Sequence, residues 1–236
     1  MCFTVSIFSN SHVVETSTGA LFENVEEYQP YFHVSGFVHP VLPLVVNDHP
    51  KQLTMASWGL VPRWIATADD AVSYARNTLN ARSETIFEKP SYRSAIRSRR
   101  ALLPVDGFVE WRQDGRYKQP YFIRRANQEP MTLAAIWEDW IEKETGVVSR
   151  SFSIVTTRAN TLLSFIHNNK QRMPVVITSA AREQWLLNDD SESIHNLLCP
   201  LADGDLEAFA VSTDLSKVKV NRHQSELLAP VGEVIR

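Results

Sequence analysis

Apolar residues fall along this chain in short runs rich in β-branched and aromatic side chains, each bounded by polar or turn-forming residues. "FTVSIF", "VLPLVV", "LTMASWGL", "GFVEWR", "PYFIRR", "MTLAAIW", "SFSIVTT" and "EAFAVST" all read as strands. Between "GFVEWR" and "PYFIRR" lies "QDGRYK", whose Asp114-Gly115 pair predicts a hairpin. Helical stretches are fewer and shorter. "SYRSAIRSR" follows Pro90, "RANTLLSFI" follows the strand ending at Thr157, and "SAAREQWLL" starts at a Ser179 cap. No βαβ rhythm, glycine-rich phosphate loop, internal repeat or linker interrupts this pattern. It predicts one α+β domain over residues 1–236, built on a mostly antiparallel, folded-over, barrel-like sheet with short peripheral helices.

Composition narrows the class. A hydrophobic fraction of 44% and six tryptophans are ample for a buried core in 236 residues. No run reaches the roughly 18 apolar residues of a membrane span. The N-terminus lacks the basic region and apolar stretch of a signal peptide. A soluble, cytoplasmic protein is expected, and nothing in the pattern calls for an oligomer, so a monomer is expected too. Two cysteines without a CxxC, and seven histidines without a compact ligand spacing, give no metal site or disulfide framework, and no cofactor is expected. The net charge of −3 argues against general coating of nucleic acid, yet the charge is uneven. Nine Lys/Arg stand against three acids from Arg93 to Arg125, and seven acids against one arginine from Arg182 to Glu207. A local basic face matters more than overall charge for touching phosphates.

Four stretches place reactive or polar groups beside strongly structured sequence: "MC" at the start, "NARSE" from Asn80, "GFVEW" from Gly107, and "IHNNKQRMP" from Ile166. Singly, each has an ordinary explanation. Glu110 alternates with Val109 and Trp111, which reads as a solvent-facing carboxylate. Asn80 and Arg82 read as a turn asparagine and a surface arginine. His167 suits a helix C-terminus, and Cys2 a small buried hydrophobe.

Together they resemble the SOS response-associated peptidase family, in which Met-Cys, "WGLVP", "NARSE", "DGFVEW", the "IVTT" strand and the "H…RMP" segment occur in this order. The likeness covers roughly residues 2 to 222. The chain departs from the family pattern in three places. Cys2-Phe3-Thr4 stands where Met-Cys-Gly-Arg is usual, His33 takes the place of an asparagine, and "NNKQ" separates His167 from Arg172.

The resemblance implies covalent capture of abasic sites in single-stranded DNA. Once Met1 is removed, Cys2 carries an amine and a thiol on adjacent carbons. The amine condenses with the ring-opened sugar aldehyde to an imine, and the thiol closes a five-membered thiazolidine. An α-amine, with a pKa of about 7.7–8.0, is partly neutral near pH 7, unlike lysine. By the same resemblance Glu110 moves protons, and assists Met1 removal. Asn80 holds the ring, Arg82 grips a flanking phosphate, and His167 protonates the departing sugar oxygen. Trp58, Trp64 and Pro62 are candidate apolar wedges or stacking platforms. Arg63, Arg97, Arg99, Arg100 and Arg172 are candidate phosphate contacts, with Thr156 lining the pocket. Two rival readings remain: a thiol peptidase with Cys2 as nucleophile and His167 as base, and a non-catalytic single-stranded DNA-binding module.

Overall fold

Two hydrogen-bonded sheets organise the chain in a computed structural model that describes residues 2–236. The first half contains β1 (Thr4–Ile7), α1 (Ser11–Thr18), β2 (Leu21–Phe22), β3 (Tyr31–Ser35), β4 (Val41–Val46), β5 (Gln52–Trp58), α2 (Ala68–Ala75), β6 (Asn80–Arg82), α3 (Ala95–Ser98), β7 (Arg100–Val105) and β8 (Gly107–Asp114). The second half contributes β9 (Tyr117–Arg125), β10 (Met131–Ile141), β11 (Val148–Arg158), α4 (Thr161–Ile166), β12 (Arg172–Pro174), β13 (Val176–Ile177), α5 (Arg182–Leu187), α6 (Ser191–Asn196), β14 (Leu206–Ala210) and β15 (Val220–Asn221).

One sheet runs β12-β11-β10-β7-β4-β5-β2. A parallel pairing of Ser57 and Trp58 with Ser151 and Phe152 joins β5 back to β11. The five strands β11, β10, β7, β4 and β5 therefore close into a barrel, which removes their free edges. The other sheet has the order β14-β9-β8-β1-β3-β15 and is antiparallel throughout. The fold is α+β with a barrel and short helices, as the strand pattern predicts.

Alternation along the strands sorts the core into layers. The inner face of the barrel (Leu103, Leu133, Phe152, Ile154) and one face of the second sheet (Val5, Phe108, Ile123) share the main cluster, which also holds Cys2. On the barrel's outer side, Leu102, Ile136 and Val155 pack beneath Ile96, Trp185 and Ile194 of the helices. Val109, Phe122, Phe209 and Leu215 form a third cluster on the far face of the second sheet. That sheet is thus covered on both sides along β8 and β9, which decides the environment of Glu110.

All eight apolar runs lie on strands, and Gly115 takes φ +55 in the predicted hairpin turn. The helices differ more. "SYRSAIRSR" contracts to the single turn of α3, because the chain enters β7 at Arg100. Ser179 does not cap α5; it opens a separate 3-10 turn, and α5 begins at Arg182. Helices α1 and α2 form where side-chain oxygens of Asn10 and Thr67 cap them by accepting from the amides of Val13 and Asp70. In "WGLVP", Trp58 is fully buried and its indole donates to the Leu79 carbonyl at 2.8 Å, so it offers no stacking surface. Gly59 has φ +126, and a Cβ there would sit 2.7 Å from the Ala75 carbonyl oxygen, so glycine is required.

Arg100, a candidate phosphate contact by sequence, is 1% exposed. Its guanidinium donates to the carbonyls of Ile96, Arg97, Trp185, Leu186 and Asn188, and so neutralises the exposed ends of α3 and α5. This correction has a physical reason: the planar fork satisfies several carbonyls that helix termini leave open. Arg100→Leu should lower stability by about 3 kcal/mol or more, because buried carbonyls lose their donors. Arg100→Lys should recover only part of that loss. Urea unfolding of the three proteins measures it.

Candidate functional site

Phe108 and Glu110 share the face of β8 that looks toward the main core, while Val109 belongs to the cluster on the other face. Alternation therefore does not deliver Glu110 to solvent. It is 4% exposed, and burial pushes its carboxyl up to about 7. Cys2 is fully buried at the start of the chain, where its thiol donates to the Thr4 carbonyl at 3.7 Å. Burial first, then the negative charge of Glu110, push that thiol well above its ordinary range. The next residue, Phe3, lines a cleft of about 640 Å³ together with Glu110, Trp111 and His167. Its backbone carbonyl accepts from Gly36 at 2.8 Å and its ring packs on Phe37, which holds the first residues against the cleft wall.

His167 reaches the same place from the end of α4. Asn160 caps this helix through the Leu163 amide at 3.0 Å, and the His167 amide closes it on the Leu163 carbonyl at 2.7 Å. The imidazole Nδ1 donates to the Arg172 carbonyl at 2.9 Å, since a carbonyl can only accept. Nε2 is thereby directed at Glu110, 3.9 Å from Oε2. Burial, aided by the charges of Arg172 and Lys170, holds the imidazole below its usual pKa. A neutral imidazole thus faces a carboxyl that titrates near neutrality, a pair suited to passing a proton in either direction.

The "NNKQ" insertion folds back beside His167. Gln171 takes φ +49 and its amide donates back to the His167 carbonyl at 2.8 Å, closing residues 168–171 into a turn. Asn168 then mimics a strand neighbour of β8: its side chain accepts from the Gln113 amide at 3.0 Å and donates to the Gln113 carbonyl at 2.8 Å.

Asn80 and Arg82 project to one face of β6, which pairs in parallel with β11 at Ile154 and Thr156. Asn80 is 9% exposed, and neither its side-chain oxygen nor its nitrogen has a partner among the described residues. Such an orphaned amide is costly unless something outside the protein meets it. Arg82 is exposed. β11 links this strand to the cleft, because Arg172 donates to the carbonyl and hydroxyl of Thr156 at 2.7 and 3.2 Å and offers its own carbonyl to His167.

The structure thus gathers Cys2, Glu110 and His167, and connects Asn80 to them through β11 and Arg172. Several other expectations need correction. Thr156 is fully buried, Pro62 is buried, and Arg172 is tied to Thr156 and Glu84, so none presents a free surface to a DNA strand. Arg63 and Arg99 both pair with the buried carboxylate of Glu138, at 2.7 and 2.9 Å. Trp64 is 53% exposed, braced edge-on by Tyr74, and Arg97 is exposed. His33, the substitute for asparagine, is a core histidine bonded to the Val218 carbonyl, and burial lowers its pKa to about 4. Sequence reasoning passed over Arg116, Lys118 and Lys170, which line the cleft beside Glu110. The signal lay in the basic composition of the predicted hairpin tip. Among the described residues no three His, Cys, Asp or Glu side chains converge as metal ligands do, and no helix is long and apolar enough to cross a membrane.

Residues 1–218 match the family SOS response associated peptidase (SRAP), and the chain belongs to it. The chain is similar to the abasic site processing protein YoqW of Bacillus subtilis, 32% identical over 225 residues, covering 94% of this chain and 96% of that protein. It is also similar to the abasic site processing protein YedK of Escherichia coli, 30% identical over 191 residues, covering 78% and 80%. A crystal structure of a protein from Bacteroides thetaiotaomicron superimposes with a TM-score of 0.91 at 32% identity, over 98% of this chain and all of that one.

The raised carboxyl of Glu110 has a measurable consequence. Its folded-state value of about 7 lies above the roughly 4.3 of an unfolded glutamate. The stability it contributes is therefore complete below the unfolded value and is lost as pH rises through about 7. Between about pH 5 and about pH 8 the thermal midpoint of the wild type should fall relative to that of Glu110→Gln. Difference infrared spectra should show one carboxyl titrating near pH 7 that this substitution removes. A midpoint near 4 would contradict the buried assignment.

Proposed function

We propose that this protein processes abasic sites in single-stranded DNA by capturing them covalently on Cys2 after Met1 has been removed. The observation that carries the reading is that Glu110 and His167 face each other in one cleft with the buried Cys2 close enough to Glu110 to feel its charge, in a chain similar to proteins named for abasic site processing. The liberated amine attacks the sugar aldehyde, forming a C–N bond, and water leaves as the carbinolamine dehydrates to the imine. The thiol sulfur then adds to the imine carbon while its proton passes to the nitrogen, closing the thiazolidine. Glu110, poised near neutrality, donates the proton that expels water and accepts it again. His167, after taking a proton from Glu110 on Nε2, protonates the departing sugar oxygen. The unpartnered amide of Asn80 holds the ring, Arg82 and Arg97 meet phosphates, and the exposed Trp64 stacks on a base. Arg172 and Thr156 act at one remove, by fixing the ring of His167.

The buried state of the thiol disfavours a conventional thiol peptidase. Nucleophilic cysteines depend on a lowered pKa, whereas burial and Glu110 raise this one. Thiazolidine closure needs no standing thiolate, because the sulfur's proton is transferred as the ring forms. Excision of Met1 by the protein itself remains part of the proposal, with Glu110 as its proton carrier.

Incubation with an oligonucleotide carrying one abasic site should give a shifted band that survives denaturing electrophoresis, and intact mass should show Met1 missing. Cys2→Ser and Cys2→Ala should leave only an imine, visible after borohydride reduction. Glu110→Gln should slow capture by about a hundredfold or more. Crosslinking that survives an added residue ahead of Cys2 would refute the amine as nucleophile, and salt-sensitive binding without any crosslink would favour a plain binding module.

A further inference from the structure

β9 ends in two consecutive arginines that alternate to opposite faces of the sheet. Arg124 meets a carboxylate, pairing with Glu207 at 2.9 Å, and lies over the ring of Phe209. Arg125 points the other way, into a second cleft of about 590 Å³, and there it meets Arg182 from the start of α5. Neither guanidinium has a hydrogen bond or ion pair with any described residue, and the Nε of each is buried without an acceptor. Burial, together with the charge of Arg125, holds Arg182 below its ordinary pKa, so the two cations sense each other. Other buried or half-buried arginines of this chain find acceptors: Arg100 in carbonyls, Arg99 in Glu138, Arg150 in Asp139 and Arg172 in Glu84. Holding two like charges together without a direct ion pair to either costs free energy, which an oxyanion bridging both forks would recover.

We propose that Arg125 and Arg182 form a binding site for a phosphate group, separate from the Cys2 cleft. Hydroxyls of Thr16 and Ser179 line the same cavity and supply further donors, with His12 at its rim. The cavity also contains Glu129, whose carboxylate accepts from Asn127 at 2.8 Å and moderates the positive field. A doubly charged phosphate outcompetes that single carboxylate, since it can accept from both guanidiniums at once. The site lies at the far end of β9 from Lys118, which lines the cleft beside Glu110. Seven residue steps of strand separate Lys118 from Arg125, roughly 23 Å at about 3.3 Å per residue. Inorganic phosphate and the backbone of a bound DNA strand both present non-bridging phosphoryl oxygens, the latter with a single charge per group, and both are carried as arms of the test.

Calorimetric titration of the full-length protein with inorganic phosphate, at constant ionic strength in chloride, should show saturable binding at one site per chain. Arg125→Gln and Arg182→Gln should each weaken it at least about tenfold, and Glu129→Gln should strengthen it. Each arginine variant should melt at or above the wild-type temperature in phosphate-free buffer, because the like-charge contact is relieved; this separates loss of the site from loss of the fold. An undamaged single-stranded oligonucleotide is the second titrant. If it competes with phosphate and its salt dependence weakens in the double variant, the occupant is the strand's own phosphate. If only phosphate responds, the occupant is a small phosphate. Absence of saturable phosphate binding, or binding unchanged in both arginine variants, overturns the proposal. With saturating oligonucleotide, crosslinking by Cys2 should proceed at the wild-type rate in Arg182→Gln without phosphate, so failure here is distinguishable from failure of the abasic-site reading.

Discussion

The site depends on the burial of one carboxyl group on a strand that is covered on both faces. β8 runs between the main core and the cluster around Phe209 and Leu215, so no alternation of its side chains reaches open water at Glu110. A buried glutamate in that position is penalised when charged, and its proton affinity rises until it is half-ionised near neutral pH. The cost to stability and the capacity to move protons are two expressions of the same displacement of water. His167 shares this setting. It is neutral because it too is buried, and its tautomer follows from the carbonyl of Arg172 on the far side of the ring.

Much of the architecture was legible in the sequence because half-buried strands are locally encoded. "MTLAAIW" and "SFSIVTT" are so rich in apolar and β-branched residues that no tertiary information is needed to assign them. β7 was passed over for the opposite reason. Its opening Arg100 and interior Pro104 argue against a strand, and the helix signal just before it was read through to Arg99. The barrel's long-range bonding between Arg100–Val105 and both β4 and β10 overrides that local conflict. Short pieces such as β6 and β15 carry too few residues for any period to register.

The chemistry was legible only as a set. Glu110 taken singly reads as a surface group, and the error comes from assuming that one face of a strand is wet. Cys2 read singly as a buried small residue, and burial is indeed where the structure puts it; its significance comes from the group next to it. The basic residues were the least legible. Charge counts could not distinguish Arg100, consumed by carbonyls, or Arg99, consumed by Glu138, from Arg82 and Arg97, which remain outside, or from Arg63, which is exposed but paired with Glu138. An arginine's role is decided by whichever acceptor lies within reach, and that is a tertiary property.

The turn formed by residues 168–171 has a consequence of its own. Because Gln171 returns the chain to the His167 carbonyl and Asn168 laces the turn to Gln113, the extra length is absorbed in front of β8 instead of being passed into the imidazole. Asn169 and Lys170 ride on this strut and overhang the cleft. The mouth of the cavity is therefore carried on a turn of its own, anchored to the His167 backbone and to β8. Residues at the rim can be exchanged to reshape what enters while the proton-carrying pair beneath keeps its spacing, much as the jaw of a vice can be refaced without resetting its screw.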